Sequence, residues 1–183
     1  EFESKGNMDD MIELECELLD HLGFEQSKIV DTDTGVSKKG YPSGDYEKVA
    51  FDYNTTEIEH EHEQRLLKEH GSVFLLKNFP FYSNPFWNMK ANETTGIANK
   101  VDVILEGVET IGSAERSTNP EEMLYHFNNI SDGQYKNILY TNFSKDRVDK
   151  ELDHFLSHNF FERFGGGIGV TRMIKAMEAN KLL

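Results

Sequence analysis

The sequence predicts an α+β fold, an antiparallel β-sheet flanked by helices. Three observations carry that prediction. In the middle of the chain, apolar stretches of strand length follow one another through short turns, which favours hairpins over parallel crossovers. Capped, amphipathic segments lie on either side of that region. A glycine-rich, strand-like run near the end leads directly into a final helix. No internal repeat and no low-complexity linker divides the 183 residues, so residues 1–183 read as one domain with room for a real core.

The elements follow in order. The chain opens on "EFESKG", with no methionine and on what reads as the end of a strand, so the domain is expected to be partial. Asn7 is an N-cap for a helix over Met8–Leu22. Its stripe is Met8, Met11, Ile12, Leu18, Leu19 and Leu22, and Gly23 stops it. Cys16 falls on the apolar side, and Glu13, Glu17 and Asp20 face solvent. Residues 31–45, "DTDTGVSKKGYPSGD", read as a loop. "DYEKVAFDY" is ambiguous. Thr56 and Glu59 have capping-box spacing and open a helix ending near Gly71. "SVFLLKNF" is a buried strand stopped by Pro80, and "PFWNMK" at residues 85–90 reads as another. "NETTG" is a turn and "NKVDVILEG" a strand, which Gly107 turns into the partner strand "VETIGSAER". Asn119, Pro120, Glu121 and Glu122 combine an N-cap, a first-turn proline and two acids on the helix dipole. Ser144 caps a helix whose Val148, Leu152, Phe155 and Leu156 share a face.

Composition bounds the function. Hydrophobic residues make up 37% and charged residues 28%, ordinary for a globular protein. The net charge is −14, and a surface this acidic repels phosphate backbones except at a local basic site. The one cysteine, Cys16, cannot form an internal disulfide. That suits a reducing compartment, and a cytoplasmic location is expected. No apolar run approaches membrane-spanning length and no signal-peptide pattern opens the sequence. The sequons at Asn54, Asn92, Asn129 and Asn142 read as chance.

Two stretches carry candidate chemistry. In "VDVILEGVETIGSAER", alternation sends Val101, Val103 and Leu105 to one face and Asp102 and Ile104 to the other. Glu109, Ile111 and Ser113 share a face of the partner strand. With a tight turn at Gly107, Asp102 and Glu109 converge. Two carboxylates there call for a cation between them, and Mg²⁺ prefers such oxygen ligands while keeping positions for water and phosphate. Arg116 can hold a carboxylate bidentately. The bland alternative is an exposed hairpin with ordinary surface charge. The second stretch is "FFERFGGGIGVTRMIKAM". Glycines let a backbone approach a flat ligand closely, and Arg172 falls in the first turn of the next helix, where the dipole already favours anions. The spacing matches neither the phosphate loop nor the dinucleotide fingerprint, and packing alone is the competing reading.

Other signals are weak. His60 and His62 stand about 200° apart around a helix, and the H-E-x-x-H spacing fails, so a polar helix face is the reading. No nucleophile motif occurs.

Taken together, these stretches resemble the class II aminoacyl-tRNA synthetases. "FGGGIGVTRMIKAM" looks like their motif 3. "VDVILEGVETIGSAER" resembles the hairpin of the aspartyl, asparaginyl and lysyl subgroup, with an acid, a second acid seven residues later and an arginine seven after that, matched by Asp102, Glu109 and Arg116. "TEIEHEHEQRLLKEHGSVFLLKNFP" is similar to the asparaginyl-type stretch with its Glu61-His62-Glu63, and "NPFWNMK" to an aromatic segment of aspartyl enzymes. The segments cover most of residues 50–177 in the family's order. Within the group, "GGGIG" and Glu115-Arg116 lean toward ammonia-dependent asparagine synthetase and its archaeal synthetase-related form. Arginine at Arg116 disfavours lysine.

The resemblance implies a class II catalytic domain and an activity: activation of aspartate as aspartyl-adenylate with ATP and Mg²⁺, then amidation by ammonia to asparagine. The alternatives are an aspartyl- or asparaginyl-tRNA synthetase core and a non-catalytic binding module. It implies roles too. Arg172 would hold the γ-phosphate, and Asp102 and Glu109 the Mg²⁺. Arg116 would hold the substrate carboxylate, with Glu61 and Ser113 beside it. Gly166, Gly167 and Gly169 would line the adenine, and Glu3 would match an acid after motif 2. The implied partners are small molecules, with tRNA disfavoured by the acidic charge, and the implied assembly is a homodimer. Two departures stand out. The arginine of motif 2 and the helix of motif 1 would lie before Glu1. The family's Gly-Gly-Ser reads Gly112-Ser113-Ala114, displacing a hydroxyl by one position.

Overall fold

The computed structural model describes residues 1–30 and 37–183. Along the chain lie β1 (Phe2–Lys5), α1 (Met8–Leu22), β2 (Ser27–Val30), β3 (Ser37–Gly40), β4 (Ser43–Asp45), α2 (Tyr46–Asp52), α3 (His60–His70) and β5 (Val73–Pro80). Then come β6 (Ala91–Asn92), β7 (Ile97–Leu105), β8 (Val108–Arg116), α4 (Pro120–Asn129), α5 (Gln134–Phe143), α6 (Lys145–Leu156), β9 (Arg163–Ile168) and α7 (Val170–Ala179). The fold is α+β. Seven strands form one sheet in the order β1-β9-β8-β7-β5-β4, with β6 beside β7. Every pairing in it is antiparallel except the short β4–β5 pair. Strands β2 and β3 form a separate ribbon.

Local signals set several boundaries. The Asn7 side chain accepts from Asp9 and Asp10 amides while Asp10 returns a bond to the Asn7 amide, and Gly23 closes α1 in the left-handed conformation. Asn119 caps α4 from the same kind of side-chain bonds, with Pro120 at its first position.

Other expectations fail for identifiable reasons. The loop read over residues 31–45 contains β3 and β4 from Ser37 onward, whereas residues 31–36 lie outside those described. Both strands exist through pairing with β2 and β5, which local composition does not encode. The ambiguous stretch is α2. The cap of α3 is Glu59, not Thr56: the His62 ring takes the position of the reciprocal partner and accepts the Glu59 amide at 2.9 Å. Residues 85–90 are not a strand. Only Met89 forms a bridge, to Arg116, and Trp87 stands edge-on against Phe127 and Phe155. These rings pack the 85–90 segment onto α4 and α6, so aromatic content here serves packing.

The sheet has two unlike faces. On one, α1 and α7 cover Val101, Val103, Leu105, Ile111 and Phe164 with Met11, Leu19, Met173 and Ala176, and Cys16 packs against that core. On the other, α2 and α3 bring Tyr46, Val49 and Leu66 onto Phe74, Leu76, Phe79 and Ile104. The second core is confined to the β5–β7 side. The part of that face formed by β8, β9 and β1 is left for the site.

Candidate active site

A β-bulge builds the site. Val103 pairs with Ile111, but Ile104 pairs with Glu109, so Thr110 is the extra residue on β8. Glu109 therefore stays on the face of Ile104 and Asp102. Beyond the bulge the alternation is reversed: Ile111 turns into the α1–α7 core, fully buried. Simple alternation would have put Glu109, Ile111 and Ser113 together. Ser113 is instead 2% exposed on the covered face, and its hydroxyl donates to the Val101 carbonyl at 3.3 Å. The expectation that Ser113 touches substrate is thus corrected, because the bulge points it away from the open face.

The two acids meet over Gly112. A Cβ placed there would lie 2.8 Å from Glu109 Oε1 and 3.5 Å from Asp102 Oδ1, so only a glycine leaves them room. Asp102 Oδ1 is buried and has no partner among the described residues. Its other oxygen is bonded by the Lys100 ammonium. Burial pushes the Asp102 carboxyl up to about 6; Lys100 draws it back, and Glu109 and Glu63 raise it. The third acid near the pair is Glu63, not Glu61. Glu61 stands about 200° around α3 from Glu63, and its side chain is 79% exposed. The spacing of the Glu-His-Glu run could not decide which of its two acids faces inward.

Further along β8, Arg116 returns to the open face. Its Nη2 donates to the Gly165 carbonyl at 3.1 Å and its Nη1 to Asn88 Oδ1 at 3.4 Å. Burial pushes this guanidinium down, with Glu3 opposing and Arg163 adding to the effect. A pocket of about 290 Å³ is lined by Glu1, Phe2, Glu3, Gly112, Arg116, Gly165, Gly166 and Gly167. Glu3 is fixed there by Arg163, whose Nε donates to Glu3 Oε1 at 2.8 Å. Glu115 points the other way and is consumed by Lys90 and Asn99, at 2.6 and 2.7 Å.

The glycines differ. A Cβ on Gly167 would meet nothing within 4 Å, so this backbone is open to the pocket. A Cβ on Gly166 would press 2.6 Å from the Gly112 carbonyl and 2.7 Å from Ser113 Cβ, which is a packing requirement on the covered face. Gly169 does not line the pocket. It is the N-cap of α7, its amide donating to the Thr110 carbonyl at 2.8 Å, beside Arg172. Arg172 is exposed in the first turn of α7 and its Nη1 donates to the Glu109 carbonyl at 2.6 Å.

A floor of bare backbone thus runs along β8 and β9. Guanidiniums stand at its two ends, separated by roughly 20 Å along β8, and two carboxylates lie near one of them. An extended ligand with anionic groups and a bound cation fits these charges. Asp102 and Glu109 also fit Mg²⁺: both supply oxygen, one Asp102 oxygen lacks a partner, and Mg²⁺ takes one or two carboxylates plus phosphates and water. Among the described residues no group of three or more His, Cys, Asp or Glu side chains is placed to hold a metal.

A sheet of this order carrying a glycine-rich strand, an arginine-led helix and an acidic hairpin is a class II synthetase fold. The family described as tRNA synthetases class II (D, K and N) matches residues 2–181, and the chain belongs to it. Solved structures share the fold at low identity. The asparaginyl-tRNA synthetase of Pyrococcus horikoshii matches with a TM-score of 0.64 and 15% identity over 96% of this chain and 44% of its own. That of Entamoeba histolytica matches with 0.66 and 14% over 99% and 45%. The aspartyl-tRNA synthetase of the same organism matches with 0.62 and 16% over 96% and 38%. The chain therefore spans less than half the length of these structures. No protein of curated function matches it. No helix among the described residues is long and apolar enough to cross a membrane.

Proposed function

We propose that the protein activates aspartate with ATP as aspartyl-adenylate and passes the aspartyl group to ammonia, forming asparagine. The observation that carries this reading is the grouping of Arg116, Glu3 and the open Gly167 around one pocket whose wall includes Gly112, the residue over which Asp102 and Glu109 meet. Arg116 holds the carboxylate of aspartate that does not react. The Gly165–Gly167 backbone lies under the flat base, with Gly167 open toward it. Arg172, one nitrogen already fixed on the Glu109 carbonyl, turns its remaining donors to the terminal phosphate. Mg²⁺, when bound, neutralises phosphate charge, and Asp102 and Glu109 are the residues that would hold it.

The reaction needs positioning and charge neutralisation more than a proton relay. A carboxylate oxygen of aspartate attacks the α-phosphorus in line and pyrophosphate leaves. Ammonia nitrogen then attacks the acyl carbon, AMP leaves with the bonding pair, and one ammonia proton goes to solvent. Adenylate formation is supported by membership of the family, and the P. horikoshii relative has been solved with asparaginyl-adenylate. The net charge of −14 supports a small acceptor. A second reading, transfer to a tRNA hydroxyl, is favoured by the tRNA synthetases among the similar structures. In either case the working form is proposed to be a cytoplasmic homodimer.

The deciding assay supplies the complete protein with ATP, Mg²⁺, aspartate and ammonium. AMP, pyrophosphate and asparagine are expected. ADP and phosphate would reject adenylate chemistry. Charged tRNA with no asparagine would replace the ammonia reading by the second one.

A further inference from the structure

We infer that Lys100 is the resident counter-cation of the Asp102–Glu109 pair, lowering its affinity for free divalent metal so that metal enters together with a phosphate ligand. The inference rests on the proposed reading of that pair as the metal site. Lys100 and Asp102 are two residues apart on β7 and share a face. The ammonium is bonded to Asp102 Oδ2. It also lies 3.6 Å from the centroid of the Phe79 ring, and Phe79 is itself buried in the core beneath α2 and α3. The side chains of Lys100 and Asp102 are 18% and 11% exposed. Lys100 is therefore held between a carboxylate and an aromatic face, unlike a solvated surface lysine.

The charge arithmetic explains why it is there. The carboxylates of Asp102 and Glu109 meet over Gly112, their oxygens 3.5 and 2.8 Å from the position a Cβ would take there, and like charges this close repel. One internal positive charge relieves that repulsion in the free protein. The same charge repels a divalent ion a few ångströms away, and the repulsion is only partly screened in a site this enclosed. Asp102 Oδ1, without a partner, remains the oxygen open to the ion. The negative charge of a phosphate ligand would attract both the ion and Lys100, so nucleotide and metal are expected to bind together.

The test is titration of the complete protein with Mn²⁺ alone, without nucleotide, followed by the loss of the free-ion electron paramagnetic resonance signal. Lys100→Met and Lys100→Gln are each expected to bind Mn²⁺ at least about tenfold more tightly than the wild type. Lys100→Arg keeps the charge and should show no gain. Glu109→Gln should weaken Mn²⁺ binding in the wild-type and Lys100→Met backgrounds alike. If both neutral variants bind no more tightly while Glu109→Gln still weakens binding, the metal pair stands and the role of Lys100 is overturned. If Glu109→Gln changes nothing, or no variant binds Mn²⁺, the metal reading itself falls and this inference with it.

Discussion

Arg172 donates its Nη1 to the backbone carbonyl of Glu109 at 2.6 Å, joining the first turn of the last helix to the acidic strand. The bond spans 63 residues of sequence. It is available because the β8–β9 pairing ends at Ile111–Ile168, and beyond the Gly169 amide on the Thr110 carbonyl no β9 residue pairs with the start of β8. One nitrogen of the fork sets its direction while the rest of the guanidinium stays exposed.

That geometry gives the first prediction. Arg172→Ala should reduce ATP–pyrophosphate exchange by about 10- to 100-fold, the scale of a lost charged hydrogen bond. Because the side chain is exposed, the thermal midpoint should shift by no more than a few degrees. Arg172→Lys keeps the charge but cannot hold the carbonyl and a phosphate as one planar fork, so it should recover only part of the exchange rate. Full activity in Arg172→Ala would remove this residue from the site.

Two adjacent glycines should behave oppositely. Gly166→Ala forces a Cβ to 2.6 Å from the Gly112 carbonyl, and overpacking of this kind costs about 1–3 kcal/mol. Denaturant unfolding should register that loss. Gly167→Ala meets nothing within 4 Å and should leave stability nearly unchanged while weakening nucleotide binding by calorimetry. Equal effects on stability would mean that the bare backbone serves packing alone.

Arg116→Leu should raise the KM for aspartate far more than that for ATP. The guanidinium is part of the pocket wall and is already oriented by the Gly165 carbonyl and Asn88, so truncation removes a prepared carboxylate contact. Steady-state kinetics with each substrate varied in turn measures the split. An equal rise for both would place Arg116 outside the aspartate subsite.

Glu15 on α1 sets a pH dependence. It is 1% exposed, and neither carboxyl oxygen has a partner. Burial pushes its pKa up to about 7; the Ser113 hydroxyl opposes that and Asp102 adds to it. The Ser113 hydroxyl donates to the Val101 carbonyl, so burial dominates. A carboxyl raised above its unfolded value is stabilising while protonated. Its contribution is complete below about pH 4.5 and fades as pH rises through about 7. The full swing is of order 3 kcal/mol. Urea unfolding from pH 5 to 8 should show stability from this group falling, and Glu15→Gln should flatten the slope. An unchanged slope in the variant would assign the titration elsewhere.

Much of this molecule was legible in the sequence where the signal is local. The Asn7 cap, Asn119 with Pro120, and the turn at Gly107 each fix an element through neighbours a few residues away, and the structure keeps all three. The seven-residue spacings of Asp102, Glu109 and Arg116 marked one hairpin whose open face gathers all three. Non-local elements were not legible. Strands β3 and β4 need partners elsewhere in the chain, and residues 85–90 are drawn away from strand geometry by rings packing on α4 and α6.

By itself, then, the sequence determined the fold class and the helix caps at Asn7 and Asn119, because caps and turns are short-range physics. Only the tertiary structure decided which side chains face the pocket. A single extra residue at Thr110 sends Ser113 to the covered face, α3 packing selects Glu63 over Glu61, and Lys100 is pinned against Phe79. Side-chain direction depends on register and on what packs across the sheet, and neither is written in any one stretch of the chain.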